Sequence, residues 1–371
     1  MRIAILGTRG IPNQYGGFER FAEVISAHFA ELGHTVYVSS PSIDISGVFD
    51  LPNHVNLVRV YIPSWISSNV QTLYYDLKSL IWASKNNIDV VLECGYSHSI
   101  WLIFFRKIFW SKIVTNPDGL EFSRKKWNLF AKTFLRICEK LAIKYSVSIV
   151  CDSPALVDYY RSKYSINPKV IPYGAFPVRS VPDKSILKQF TVPDDYYLMI
   201  SRLTPENNIE PILESFSKNG FSLVVVGDFT SRYGQLCFNR YRLYSNIIFL
   251  GKIYDQNKLD TLRYYAKAYI HGHSVGGTNP SLVEAMACKC FVIAHDNVFN
   301  RTVLNNEGMY FNNSNDLKIY LEKYEKMELA EVLQVKQKNY QRIIDEHDWI
   351  SVSEKYLELF ERLNLVVKKS V

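Results

Sequence analysis

The sequence predicts an α/β protein of two doubly wound, mostly parallel sheets, and three observations carry that prediction. Short β-branched runs alternate with amphipathic stretches along the whole chain. The rhythm breaks once, at a proline-rich passage from Pro172 to Pro193 that reads as the linker between two halves. The length, 371 residues, suits about two domains at roughly 100–200 residues each.

In the first half, short apolar or β-branched runs predict strands at Arg2–Gly7, Thr35–Ser39, Val55–Tyr61, Asp89–Glu93, Lys112–Thr115, Ser148–Cys151 and Lys169–Ile171. Between them, apolar residues at helical spacing predict helices over Gly17–Leu32, Val70–Ser84, Ser97–Phe109, Asn128–Tyr145 and Ser153–Lys163. The second half repeats the pattern, with strands at Tyr196–Ile200, Ser222–Val226, Ile247–Leu250, Ala268–His271 and Phe291–Ala294. Its helices are Glu206–Lys218, Lys258–Tyr265, Pro280–Ala287 and Leu317–Lys326. Alternation of this kind requires parallel sheets covered on both faces, and ligands of such sheets bind in loops beyond the carboxyl ends of the strands.

Composition removes several classes. With 47% hydrophobic and 14% aromatic residues the chain is neither disordered nor collagen-like. No signal peptide is readable after Met1-Arg2, and the apolar stretch Ile100–Trp110 is too short and too charged to span a bilayer. Six scattered cysteines fit reduced thiols in a cytoplasmic chain. Cys288-x-Cys290 beside His271-x-His273 matches no common zinc spacing, so no metal site is expected. The net charge of +7 lies wholly in residues 1–180, which hold 20 basic and 13 acidic residues against 23 of each beyond. Much of it runs from Arg106 to Lys144 among Trp101, Phe104, Phe105, Trp127, Phe130 and Phe134. That mixture suits docking on anionic lipid, or equally a solvated helix face over a core; no nucleic-acid motif accompanies it.

Four loops after predicted strands carry candidate chemistry. Gly7 to Glu19 opens a helix near Gly16-Gly17, where backbone amides can approach a phosphate. A nicotinamide dinucleotide fits poorly there: the tight G-x-G-x-x-G turn is missing and the second strand ends in Ser39-Ser40-Pro41 without an acid. His271 to Ala287 runs from a strand through Gly276-Gly277 to Pro280 at a first helical position. Amides of Thr278, Asn279 and Ser281 would face an anion, and Glu284 can accept from vicinal ribose hydroxyls or simply favour the helix dipole. Arg202 can clamp a diphosphate from the end of its strand. Asp118 and Glu121, in Asn116-Pro-Asp-Gly-Leu-Glu, are catalytic candidates or turn formers.

Together, Gly16-Gly17-Phe18-Glu19, Asn116 to Glu121, Ser201-Arg202-Leu203 and Gly276 to Ala287 resemble the GT-B retaining glycosyltransferases of family 4. Within it they are most similar to a subgroup containing bacterial β-1,4-L-rhamnosyltransferases of cell-surface polysaccharide assembly. The resemblance implies two Rossmann-like domains facing a central cleft. Residues 1–175 would bind acceptor, 176–345 the nucleotide sugar, and 346–371 would form a C-terminal helix crossing back to the first domain. It implies a hexosyltransferase that moves L-rhamnose from dTDP-β-L-rhamnose, or a hexose from a UDP-sugar, without a cofactor or metal. The basic, aromatic first half suggests a lipid-linked acceptor, a polyprenyl-diphosphate-linked saccharide, with the enzyme peripheral on the inner face of the cell membrane. An inactive GT-B scaffold is the reading from another class. By position, Gly16, Gly17, Arg202, His273, Gly277, Thr278, Asn279, Pro280, Ser281 and Glu284 match the donor site, and Lys252 lies where the nucleobase is met. Two departures stand out: Gly276 occupies the place of the first glutamate of E-x7-E, and Asn207 that of a phosphate-binding lysine.

Overall fold

A computed structural model describes the chain except Tyr15, Pro52, Arg106, Lys107, Phe109–Ser111, Asp118, Arg124–Lys126, Ser370 and Val371, and gives only the backbone of 68–69 and 366–369. The chain divides into two compact units, Met1–Pro172 with Trp349–Val371, and Tyr173–Asp348.

In the first unit the strands are β1 (Arg2–Leu6), β2 (Thr35–Ser42), β3 (Gly47–Asp50), β4 (Asn56–Tyr61), β5 (Val90–Cys94), β6 (Ile113–Asn116), β7 (Ser148–Cys151) and β8 (Lys169–Val170). Their order is β3-β4-β2-β1-β5-β6-β7-β8, parallel except for β3, which pairs antiparallel with β4. All five residues of β5 and four of the five of β1 are buried, as both-face coverage of a parallel sheet demands. The cover comes from α1 (Gly17–Glu31), α2 (Ser68–Ser84), α3 (Leu102–Phe105), α4 (Leu129–Tyr145) and α5 (Ala155–Tyr164). The helix expected over Ser97–Phe109 is instead a 3-10 turn, Ser97–Ile100, followed by the single turn of α3.

The second unit alternates strictly. Its elements are β9 (Tyr197–Ile200), α6 (Ile209–Asn219), β10 (Leu223–Val226), α7 (Arg232–Tyr241), β11 (Ile247–Gly251), α8 (Gln256–Tyr265), β12 (Tyr269–His271), α9 (Pro280–Ala287), β13 (Val292–His295), α10 (Val298–Leu304), β14 (Met309–Phe311), α11 (Ser314–Glu325) and α12 (Leu329–Arg342). The sheet order β11-β10-β9-β12-β13-β14 is the doubly wound 3-2-1-4-5-6 arrangement, so the direction of winding reverses between β9 and β12.

The passage Pro172–Pro193 is not a linker. From Tyr173 onward it is part of the second unit: Val178 N–H donates to the Ala287 carbonyl (3.0 Å) and Tyr265 OH to the Pro182 carbonyl (2.8 Å). Its Leu187, Val178 and Phe190 pack into the core with Tyr196 and Leu198. Prolines end regular structure without forbidding burial, which is why they mislead here. After α12 the chain returns to the first unit as α13 (Trp349–Lys369), whose Trp349 and Tyr356 meet Phe21 of α1 and whose Phe360 meets Phe29.

Candidate functional site

In the second unit the residues singled out from the sequence gather around the β9/β12 reversal. Ser201-Arg202 follows β9, and the loop 272–279 leaves β12 and enters α9. A web of hydrogen bonds ties the two. Ser274 donates N–H (3.0 Å) and Oγ–H (2.7 Å) to the Glu206 carbonyl, and Asn208 Nδ2 donates to the Gly272 carbonyl (2.8 Å). At Gly272 a Cβ would collide with the Asn207 carbonyl oxygen, so glycine permits this close approach. Asn207 is buried, its amide donating to Ser201 Oγ (2.9 Å) and the Arg202 carbonyl (2.8 Å). It fixes the backbone that presents Arg202. The Arg202 side chain itself is exposed and has no ion-pair partner among the described residues.

Gly276 has φ +115°, a conformation that glutamate would adopt only under strain. The missing carboxylate is therefore a consequence of the loop's shape. Asn279 is the N-cap of α9, with extended backbone and no side-chain cap bond, and Pro280 fills the first helical position. Gly277 and Thr278 are buried in the loop. The first-turn amide of Ser281 belongs to the set a helix cannot satisfy internally.

Glu284, one turn into α9, is not a solitary carboxylate. The guanidinium of Arg263, 1% exposed, donates to Glu284 Oε2 and, at 3.0 Å, to Asp260 Oδ1. Burial opposes that charge, but the carboxylates of Glu284 and Asp260 more than offset it and hold Arg263 ionised. Sequence reasoning missed Arg263 altogether.

Lys252 follows β11 and pairs with Asp228 at 2.8 Å, which pulls the Asp228 carboxyl down to about 2. His273 stacks on His271, ring centroids 4.5 Å apart, and its carbonyl accepts from the amides of Asn297 and Asn300 (3.0 Å each). His271 is held neutral, far below the usual histidine range, by burial and then by its neighbours His273 and His295. Among the described residues no three His, Cys, Asp or Glu side chains stand as a metal-holding group.

In the first unit, Gly16 precedes α1 in extended conformation and Gly17 is its first residue. The glycine loop is organised by acids of that helix: Arg9 N–H donates to Glu19 Oε1 (2.8 Å) and Asn13 N–H to Glu23 Oε1 (3.3 Å). Two loop amides are thus committed to carboxylates, which confines any phosphate approach to the start of α1. Glu121 opens a 3-10 turn and accepts from Trp127 Nε1 at 3.1 Å; Asp118 lies outside the described residues. Beneath, at the β1/β5 reversal, lie buried titratable groups that no sequence motif marks. His98 Nδ1 lies 3.2 Å from Glu93 Oε2, and Ser97 Oγ donates to Asp76 Oδ2 at 2.9 Å. Burial holds His98 down at about 3 and Asp76 up at about 7; burial and then Asp76 push Glu93 up.

Two Rossmann-like units, a glycine loop running into a helix at a sheet reversal, and a returning C-terminal helix define the GT-B fold. Residues 185–344 match the family Glycosyl transferases group 1, and residues 1–176 match a domain of unknown function, DUF1972. The second unit is thus similar to the group 1 glycosyltransferases. A probable sucrose-phosphate synthase of Thermosipho melanesiensis is 26% identical over 253 residues, 62% of this chain. The match spans only 57% of that relative's length. Among solved structures, sucrose-phosphate synthase from Thermosynechococcus elongatus aligns with TM-score 0.82 at 16% identity, over 98% of this chain and 99% of that one. Anabaena Alr3699/HepE in complex with UDP and glucose aligns with TM-score 0.76 at 14% identity, over 97% and 99%.

Proposed function

We propose that the protein transfers a hexosyl group, with retention, from a nucleotide sugar held by the second unit to a lipid-linked saccharide held by the first. The observation that carries this is the convergence of an unpaired Arg202, the Gly276–Ser281 loop and the anchored Glu284 at one sheet reversal. Transfer separates a diphosphate from an oxocarbenium-like carbon, so charge developing on phosphate oxygen must be stabilised. Arg202 and the loop amides supply that stabilisation, and Glu284 accepts from the nucleoside's sugar hydroxyls. The leaving phosphate takes the acceptor proton on the same face, while Asp118 and Glu121 orient the acceptor. The reaction proceeds without a metal; loss of activity in EDTA, restored by Mn²⁺ or Mg²⁺, would refute that step. Lys252 and Ile253 meet the nucleobase.

The donor of first choice is dTDP-β-L-rhamnose, supported by the Gly-Gly-Thr-Asn-Pro-Ser block. A UDP-hexose is the second reading, favoured by the UDP-glucose complex of the similarly folded HepE. A thermal-shift panel of dTDP-, UDP- and GDP-sugars tests both. A true donor at about a hundred times its dissociation constant adds roughly 2.7 kcal/mol of stability. No shift with any of them would leave the inactive-scaffold reading standing.

The site of action is the inner face of the cell membrane, approached by the first unit. Leu129 and Phe130, 81% and 88% exposed, support this reading.

A further inference from the structure

The first unit carries a pocket that the donor site does not use. About 530 Å³ in volume, it is bordered by Phe122, Arg136, Ile137, Lys140, Tyr159 and Lys163 on α4, α5 and the 3-10 turn between β6 and α4. Its chemistry is that of an anion site on an aromatic floor. The Arg136 guanidinium and the Lys163 ammonium lie 5.0 Å and 5.1 Å from the centroid of the same ring, Phe122, and Lys163 lies 4.6 Å from that of Tyr159. Two cations drawn to one ring repel each other unless an anion is shared between them.

Lys163 is anchored. Glu139, 1% exposed behind the pocket, accepts from Lys163 Nζ (3.1 Å) and from the Tyr159 and Tyr164 hydroxyls. The buried carboxylate of Glu139 is thereby engaged by Lys163. Arg136 and Lys140 have no ion-pair partner among the described residues. They are the middle members of a run, Lys132, Arg136, Lys140 and Lys144, spaced four residues apart along α4. Like charges one turn apart destabilise a helix by a few tenths of a kcal/mol per pair, and an anion held between Arg136 and Lys140 would offset that cost. Ile137 at the pocket and, at the start of the same helix, Leu129 and Phe130 leave apolar surface in water.

A free phosphate would satisfy the cations and leave that apolar surface bare; a neutral lipid would do the reverse. We infer that the Phe122–Arg136–Lys163 pocket binds the diphosphate head of a lipid, with the start of the hydrocarbon chain on Ile137 and Phe130. It rests on the proposed function, in which such a lipid carries the acceptor.

The test is co-sedimentation of the full chain with phosphatidylcholine vesicles containing a polyprenyl diphosphate, or phosphatidylglycerol at equal total charge. The wild type should prefer the diphosphate vesicles by about tenfold or more, the scale of one or two charge-assisted hydrogen bonds. Inorganic pyrophosphate should compete. Arg136→Gln with Lys140→Gln should abolish the preference, whereas Lys132→Gln with Lys144→Gln, the same loss of charge outside the pocket, should keep it. All four side chains lie on the α4 surface, and unchanged melting temperatures verify folding. Equal binding to both vesicle types would overturn the site in favour of a general anionic membrane face, and equal loss in the two double variants would do the same. Failure of every nucleotide sugar to shift the wild-type melting temperature would refute the transferase reading separately.

Discussion

Replacing Arg263 by Met removes the charge that holds Glu284 while keeping most of the buried volume. The magnitude follows from the surroundings. Arg263 is 1% exposed between α8 and α9, bonded to carboxylates on both. Breaking a buried ion pair by deleting one partner costs about 3–5 kcal/mol, because the remaining charge stays desolvated. Here the remaining side chains, Glu284 at 18% and Asp260 at 24% exposure, keep some solvent. The lower end, about 3 kcal/mol, is therefore expected. For a unit of this size that lowers the melting temperature by about 6–12 °C, read by differential scanning fluorimetry. A second effect separates positioning from mere stability. Glu284, released from its anchor, loses a hydrogen bond between a charged carboxylate and the nucleoside, worth about 1.5–3 kcal/mol, so donor affinity falls roughly ten- to a hundredfold. Arg263→Lys, which keeps the charge but not the fork, should recover part of both. A fall below 2 °C (well under the ~6 °C expected) together with unchanged donor affinity would refute the reasoning.

Arg202→Ala should lower kcat/KM about ten- to a hundredfold, from loss of roughly 1.5–3 kcal/mol of charge-assisted bonding. It should leave the melting temperature unchanged, since the side chain is exposed; unaltered steady-state kinetics would remove it from the mechanism. Gly276→Glu, which restores the residue implied by the resemblance, should cost about 1–3 kcal/mol because of the φ of +115°. It should gain no activity with UDP-glucose; a stable, more active variant would show the loop to be adaptable. Asp76→Asn has a pH signature. The folded carboxyl titrates at about 7 against an ordinary 3.8, so the folded state favours the protonated form. Wild-type stability from this group is lost as pH rises from about 4 through 7, and the amide loses nothing. The variant's advantage should therefore grow across that window to at most about 4 kcal/mol and then level off. Urea denaturation at several pH values measures it, and a difference independent of pH would contradict the burial of Asp76.

Legibility from sequence followed burial. Strand β7 and helix α9 fall on the predicted boundaries, and the inner strands lie within a residue or two of theirs except β2, which runs three residues further. Runs buried on both faces are continuous and β-branched, which is the clearest pattern a chain can write. What escaped was short or exposed. Strand β3 is a four-residue edge of alternating exposure, and β14 has three residues. Helix α7 begins under a Ser231 cap but carries Gly234 in its first turn, and α12 is polar with three buried residues, Val332, Asn339 and Tyr340. In the candidate site, the glycine loop and Glu284 were visible because local spacing defines them. Arg263 was not: its partner is 21 residues away on another helix, and nothing in an arginine on a polar helix announces that it is buried. The pocket was half visible for the same reason. The basic run of α4 showed in the sequence, whereas Tyr159 and Lys163 reach it only through the packing of α5.

The two departures from the pattern of the resembled family have one physical origin. At 276 the backbone turns through a region that favours glycine, and at 207 a buried amide bonds both Ser201 and Arg202. A lysine at 207 would place an ammonium where only 4% of the residue meets water and would break both bonds. Each position holds a residue that fits the local backbone where the resembled family has a charged contact. The consequence is electrostatic concentration. With no lysine beside it, Arg202 is the guanidinium that follows β9 without an ion-pair partner among the described residues, and the dipole of the eight-residue α9 adds only about 0.3–1 kcal/mol. In the proposed reaction, stabilisation of the leaving diphosphate would therefore rest on Arg202, with the loop amides beside it, so altering Arg202 or Asn207 should damage the reaction more than it damages the fold.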